Sequence, residues 1–331
     1  MTHSSDNRSG FRSLLVPIDL SPASDRVLGR VALLPLARKA RLTLLHVVPD
    51  TLPVTTRRRA ELDAMKVLAE EARSFARSLP RDVSVVPVVT AGTAAAKIAS
   101  HSAETKAELI AMGRGGGRTL RDMFLGSTAE RVVRRTQLPV LVVRLPPRAP
   151  YGRPAIALNL DDAAMAALEQ LLKVISSPRS PVTVIHAYDA PYYGLIYPSL
   201  SEEGADKYRG TYRRKAAVKI GELLSAALAG ANVPVNQAPT WRMHIQRDSP
   251  RLVIAKAVRK AETDLLVLGT RGRSGLAYAF LGAVAGEVLR AVRCDVLVVP
   301  PSRHRKGGIE PVARERVNHR GLPWSSMNRS H

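Results

Sequence analysis

The chain is written twice. Leu42-Thr43-Leu44-Leu45-His46-Val47 recurs 140 residues later as Val182-Thr183-Val184-Ile185-His186-Ala187. Glu108-Leu109-Ile110-Ala111-Met112-Gly113 recurs as Asp264-Leu265-Leu266-Val267-Leu268-Gly269 at an offset of 156, and Val140–Val143 recurs as Val296–Val299 at that same offset. The glycines repeat too: Gly113, Gly116 and Gly126 pair with Gly269, Gly272 and Gly282. A unit of about 140 residues is far longer than a solenoid repeat, so the duplication predicts two similar domains. The chain's 331 residues suit that count. The change of offset puts 16 extra residues between His186 and about Asp248. The Tyr- and Pro-rich tract Pro191–Pro198 is expected to hold them, as an extended loop before a helix.

Each unit alternates strand and helix. Ser13–Ile18 and Leu42–Val48 are continuous apolar runs, the mark of strands buried on both faces. Ser21-Pro22 opens a helix expected to reach about Lys39, with Ser21 as N-cap and Pro22 in its first turn. Glu61–Ser78 has helical periodicity, predicting one apolar face of Leu62, Met65, Leu68, Ala69, Ala72 and Phe75. Pro87 marks Val83–Val89 as a strand near an edge. Ala94–Thr105 reads as a helix, Leu109–Met112 as a strand, Ser127–Arg135 as a helix and Pro139–Val143 as the last strand. The alternation predicts an α/β fold, a parallel sheet with helices on both faces. The boundaries read as a flexible N-terminus over 1–10, domains over 11–145 and 153–300, a Pro-rich linker over 146–152 and a basic, disordered tail over 301–331.

Composition narrows the function classes. At 45% hydrophobic residues the chain has enough apolar material for large cores. It has no run of the roughly 18 apolar residues that a spanning helix needs. The polar start MTHSSDNRSG lacks a leader's apolar stretch, so a cytoplasmic protein is expected. Cys294 is the single cysteine, which excludes an intrachain disulfide and a thiolate-rich metal site. Lys and Arg number 50 against 28 Asp and Glu, a formal charge of +22. That excess attracts phosphate ligands, nucleic acid and anionic lipid. It divides as +11 over 1–150, +6 over 151–300 and +5 over 301–331, so it is spread rather than focused. With 4% aromatic residues and no basic stripe interleaved with aromatics, nucleic acid is an open but secondary partner.

The chemistry concentrates in a glycine loop. Gly113 is followed after two residues by Gly116, then after nine by Gly126-Ser127-Thr128 at the start of a helix. The loop leaves the carboxyl end of a strand, where open α/β sheets bind ligands. Glycines let a backbone approach a phosphate, and a helix N-terminus favours an anion. The Ser127 and Thr128 hydroxyls can add hydrogen bonds. Neither the P-loop pattern nor a GxGxxG after the first strand is present.

Together with Pro17-Ile18-Asp19, Leu45-His46-Val47-Val48, Gly126–Val133 and Pro139–Val143, this spacing resembles the universal stress protein family, in both halves. The resemblance implies two flavodoxin-like domains, each a five-stranded parallel sheet of order 3-2-1-4-5. It implies ATP, with Mg²⁺ accompanying the phosphates, where the glycine motif is complete. Asp19 and Pro17 match positions near the nucleoside, and Val47 matches a backbone that meets adenine. Met112, Gly113 and Gly116 match the ribose and phosphate loop, and Gly126, Ser127 and Thr128 the phosphate-contacting helix start. The recurring His46 and His186 read as structural. The second half departs: Asn159 stands for Asp19, so a carboxylate is lost, Ala157 for Pro17 and Ala283 for Ser127, while Arg271 and Arg273 lie nearby. Losing a hydrogen bond to a charged group costs about 1.5–3 kcal/mol, so a weak or empty second site is expected. The last strands, Val140–Val143 and Val296–Val299, are expected to pair the repeats as a pseudo-dimer, leaving a homodimer open. The functional expectation is an ATP-binding stress-response regulator with an unidentified protein partner, not a dedicated enzyme. A slow ATPase or autophosphorylating enzyme and an ATP-independent adaptor are the alternatives.

Overall fold

A computed structural model describes residues 10–115, 126–161, 163–175, 180–188, 201–270 and 283–301. In the first repeat the order is β1 (Phe11–Pro17), α1 (Pro22–Ala32), β2 (Leu36–Val48), α2 (Val54–Ala76), β3 (Ser84–Ala91), α3 (Ala94–Glu104), β4 (Leu109–Gly113), α4 (Ser127–Arg135) and β5 (Val140–Val143). The second continues with β6 (Pro154–Ala157), α5 (Ala163–Val174), β7 (Pro181–Tyr188), α6 (Glu202–Gly230), β8 (Thr240–Arg247), α7 (Pro250–Lys260), β9 (Leu265–Gly269), α8 (Ala283–Ala291) and β10 (Asp295–Val299). All ten strands lie in one sheet, ordered β3-β2-β1-β4-β5-β10-β9-β6-β7-β8. Each half is a parallel, doubly wound sheet of order 3-2-1-4-5.

The halves meet antiparallel. Leu141 stands opposite Leu297, with Val140 against Val298 and Val142 against Val296. A strand edge that would be open in either half alone is thereby closed. Buried strands send successive side chains to opposite faces, so Leu14 and Leu15 enter different cores. One core lies under α1, α2, α5 and α6, and the other under α3, α4, α7 and α8. Each contains residues of both halves, including alternate residues of β5 and β10.

Asp295 fastens the join. It is fully buried. Its Oδ1 accepts the amides of Arg144 at 2.6 Å and Leu145 at 2.8 Å, and its Oδ2 accepts the Tyr151 hydroxyl at 2.7 Å. Arg30 Nε of α1 lies 3.3 Å from Oδ2, an ion-pair contact without hydrogen-bond geometry, and its guanidinium covers the Tyr151 ring at 4.1 Å. Burial, with the Asp295 charge, raises the Tyr151 hydroxyl well above its ordinary range, so it stays a donor. A second contact joins the halves where Lys173 of α5 donates to Glu108 Oε2 at 2.8 Å.

Several local expectations are corrected. α1 ends at Ala32, short of Lys39, because Pro35 cannot continue the helix. The chain turns at once into β2, which begins six residues before Leu42 and bulges there. Phe11 pairs with Leu36 but Ser13 with Arg41, and Lys39 has φ 57°. α2 starts at Val54 and buries Ala64, Leu68, Ala72 and Phe75. Leu62 (66% exposed) and Met65 (37%) stand off that stripe, Leu62 by a third of a turn from Leu68. The extra residues of repeat two are shared rather than confined to one tract, since α6 has 29 residues against 23 in α2. Pro191–Pro198 and the tail beyond Pro301 lie outside the described residues. Among the described residues no helix is long and apolar enough to cross a membrane.

Candidate functional site

A cavity of about 300 Å³ opens at the carboxyl ends of β1, β2 and β4. The order 3-2-1-4-5 makes the β1/β4 boundary the switch point, where successive connections leave in opposite directions. β2 continues three residues past Leu45, its last partner on β1, so Val47 overhangs the opening. Pro17, Asp19, Val47, Met112, Gly113 and Thr128, all expected in the site, line this cavity together. Gly126 and the exposed Ser127, also expected in the site, lie outside the lining. Gly116 lies outside the described residues.

Asp19 is held ionised. Leu20 adopts φ 57°, a left-handed turn that folds the Asp19 carboxylate over the start of α1. Asp19 Oδ1 accepts the Ser21 hydroxyl at 2.6 Å, the Ser24 hydroxyl at 3.0 Å and the Ser21 amide at 3.1 Å. Burial pushes its pKa up, but these donors outweigh burial and hold it below the usual carboxylate range. Ser21 then caps α1 through Ala23 N. So Asp19 both organises the helix start and presents charge to the cavity.

Three arginines supply the opposite charge, and the sequence reading did not single them out. Arg26 (α1), Arg114 (after β4) and Arg144 (after β5) all line the cavity. Arg26 Nη1 donates to the Arg144 carbonyl at 3.1 Å. The Arg144 guanidinium reaches into repeat two, donating to Leu289 O at 2.8 Å and Val292 O at 2.7 Å. Burial lowers the Arg144 pKa and the Arg114 charge adds to this, against opposing pulls from Cys294 and Asp295. The Arg114 and Arg144 charges therefore repel, and the Arg144 guanidinium is held by the Leu289 and Val292 carbonyls. Only Arg114 had a local signal, its place inside the glycine loop. Arg26 and Arg144 come from elements distant in sequence.

The glycines of the loop are not equivalent. A Cβ on Gly126 would fall 1.6 Å from the Arg114 carbonyl oxygen, so no side chain fits. Gly115 has φ +87°, a region that glycine enters freely. A Cβ on Gly113 would make an ordinary 3.5 Å contact with Val27. As N-cap, Gly126 offers no side chain, and no side-chain cap serves α4 among the described residues. The first amides of α4 thus point past Gly126 with the positive end of the helix dipole. His46 is tethered, with Nδ1 3.0 Å from Ile18 O, and His186 makes the same contact to Leu158 O at 2.8 Å. The repeated histidine ties β2 or β7 to the strand beside it.

The sequence profile of the Universal stress protein family matches residues 10–144 and again 151–300. The chain belongs to the universal stress protein family. A universal stress protein of Mycolicibacterium smegmatis is 24% identical over 302 residues, covering 87% of this chain and 97% of that one. Universal stress protein E of Escherichia coli is 25% identical over 189 residues, 56% of this chain, and the match spans 58% of that relative's length. A solved universal stress protein from Archaeoglobus fulgidus shares the fold, with a TM-score of 0.66 at 19% identity over 88% of this chain and 99% of that chain.

The second universal stress protein repeat has its own cavity of about 490 Å³, lined by residues at the corresponding positions. Its carboxylate has moved rather than vanished. Asn159 stands where Asp19 does, but Asp161 stands where Ser21 does and lines the opening. Asn159 Nδ2 donates to Asp161 Oδ2 at 2.7 Å, and the Ala163 amide donates to Oδ1 at 3.2 Å. Arg271, Gly272, Arg273 and Gly282 lie outside the described residues, as does the Ala283 side chain. Among the described residues no group of three or more His, Cys, Asp or Glu could hold a metal ion. Cys294 is buried, and burial pushes its thiol up to about 12, which leaves it unreactive.

One basic segment does interleave with aromatics, contrary to the sequence reading. Residues 207–219 of α6 carry Lys207, Arg209, Arg213, Arg214, Lys215 and Lys219 with no acid among them. Tyr208 and Tyr212 pack edge-to-face on each other at 5.1 Å and are half-buried, so they are not a platform for stacked bases.

Proposed function

We propose that the first repeat binds ATP and that the protein acts as a nucleotide-responsive regulator in the cytoplasm. The observation that carries this is that Arg26 and Arg114 line one cavity at the switch point together with Thr128, in the first turn of α4, whose start has no side-chain cap. Guanidinium groups and helix-terminal amides are the donors that phosphate oxygens take. The Cβ-free approach of Gly126 to Arg114 leaves backbone, not side chain, at the phosphate end. Ionised Asp19 suits a hydroxyl-bearing nucleoside portion, and Val47 and Ile98 give its base an apolar wall. Mg²⁺ would come with the phosphates, keeping most of its water and needing few protein ligands.

Asp19 is engaged by the Ser21 and Ser24 hydroxyls at the start of α1, so binding without dedicated hydrolysis is the favoured reading. The test is calorimetric titration of the full chain with ATP and Mg²⁺. One ATP per chain, lost in Gly126→Ala and retained in Gly269→Ala, supports the reading. No heat at millimolar ATP defeats it, and stoichiometric ADP release during the titration would replace it with an ATPase.

A further inference from the structure

The two cavities are built at matching positions, and their described linings differ in chemistry. In repeat two, Thr270 replaces Arg114, Ala166 replaces Arg26 and Pro300 replaces Arg144. No cationic side chain lines this cavity among the described residues. The remaining wall is smaller too. Ala164, Ala167 and Ala187 stand where Ser24, Val27 and Val47 narrow the first cavity. With the three arginines replaced as well, the cavity measures about 490 Å³ against about 300 Å³ in the first repeat. Leu158, Ile185, Ile254, Leu268 and Val284 complete a surface whose polar members are Asn159, Asp161 and Thr270. The Thr270 hydroxyl is turned away, donating to Val299 O at 3.4 Å. Among the described lining residues Asp161 is the charged one, anchored by Asn159 and the start of α5.

A polyphosphate entering such a space would meet a carboxylate and apolar walls, which costs desolvation without return. An apolar body would be covered well, because cavities of this size with a few convergent polar groups suit small ligands. We infer that the second repeat binds a small, largely apolar molecule with a hydrogen-bond-donating or cationic head directed at Asp161, and not a nucleoside polyphosphate. The protein is then a two-input device, with an anion-reading half and an apolar-reading half joined through one sheet.

The test uses the full chain and the uncharged fluorescent amine N-phenyl-1-naphthylamine. The expected result is one probe per chain, unaffected by saturating ATP and Mg²⁺. Ala187→Phe fills the cavity and should weaken the probe at least tenfold while leaving ATP binding unchanged. The first repeat has Val47 at the matching position, so added bulk is tolerated there. The acidic contact has its own arm: octylamine should displace the probe, and Asp161→Asn should weaken octylamine at least tenfold with the probe affinity kept. This second arm stands if Ala187→Phe fails to fold. The inference is overturned if ATP competes with the probe, if a folded Ala187→Phe binds the probe normally, or if wild type binds two ATP and Ala187→Phe only one. It is also overturned if no probe binds up to its solubility limit. Failure of ATP to bind, with the probe result intact, would defeat the nucleotide reading alone.

Discussion

The first cavity is lined by three arginine residues and a carboxylate, whereas the described lining of the second keeps a carboxylate among alanines. The frames around them agree in strand order and in the histidine tether. Duplication has therefore preserved the frame while the side chains that fill it diverged. Parallel strands buried on both faces tolerate little change, but the segments that follow their carboxyl ends lie at the surface, where sequence is freer to vary. A fold shared by two halves thus says little about whether they share a ligand.

The join between the halves is where the comparison breaks most easily. Asp295→Ala leaves Tyr151 and two amides without their buried acceptor and Arg30 without its ion-pair partner, and should cost about 3–5 kcal/mol in urea unfolding of the full chain. A cost below about 1 kcal/mol would show that the halves are fastened by β5 and β10 alone. Next in size is the split between two glycines of one motif. Gly126→Ala drives a Cβ into the Arg114 carbonyl and should lower ATP affinity at least a hundredfold by calorimetry, whereas Gly113→Ala should change it less than threefold. Equal effects would mean that the motif works through flexibility, not close approach. Arg114→Ala, which brings the first cavity toward the second, should weaken ATP by about ten- to a hundredfold, the worth of a charged hydrogen bond of about 1.5–3 kcal/mol. Its failure to do so would leave phosphate recognition to the backbone.

The smallest effect concerns Asp19 and pH. The donors on Asp19 lower its folded pKa below the ordinary 3.8, so the unfolded chain takes up this proton first as pH falls. Its stabilising contribution is full above that value and disappears as pH drops through the folded one. Asp19→Asn should accordingly flatten the acid limb of a stability–pH curve below about pH 4, modestly because the group is exposed. An unchanged acid limb would mean that its hydrogen bonds do not persist in solution.

Much of the first site was legible because its marks are local. Gly126 has to be glycine within one turn of the chain, and Asp19 meets Ser21 and Ser24 within five residues. The arginines were not legible as a set. Arg26, Arg114 and Arg144 are separated by tens of residues and line one cavity only because α1 starts, and β4 and β5 end, at one place. The displaced carboxylate was missed for a different reason. Matching Asn159 to Asp19 position by position hides that Asp161, two residues on, brings its charge to the same opening. Leu62 and Met65 show the same limit in a helix: both are apolar and near the stripe, but the angle at which α2 meets the sheet leaves them outside.

By itself the sequence determined the duplication, the α/β alternation, the two sets of buried strands and the glycine frame. All of these follow from short-range pattern and steric necessity. Only the tertiary structure decided that the two sheets run on as one through β5 and β10, with Asp295 closing the seam. Only it decided which charges share a cavity, because charge acts through space and the chain brings distant residues together without marking them.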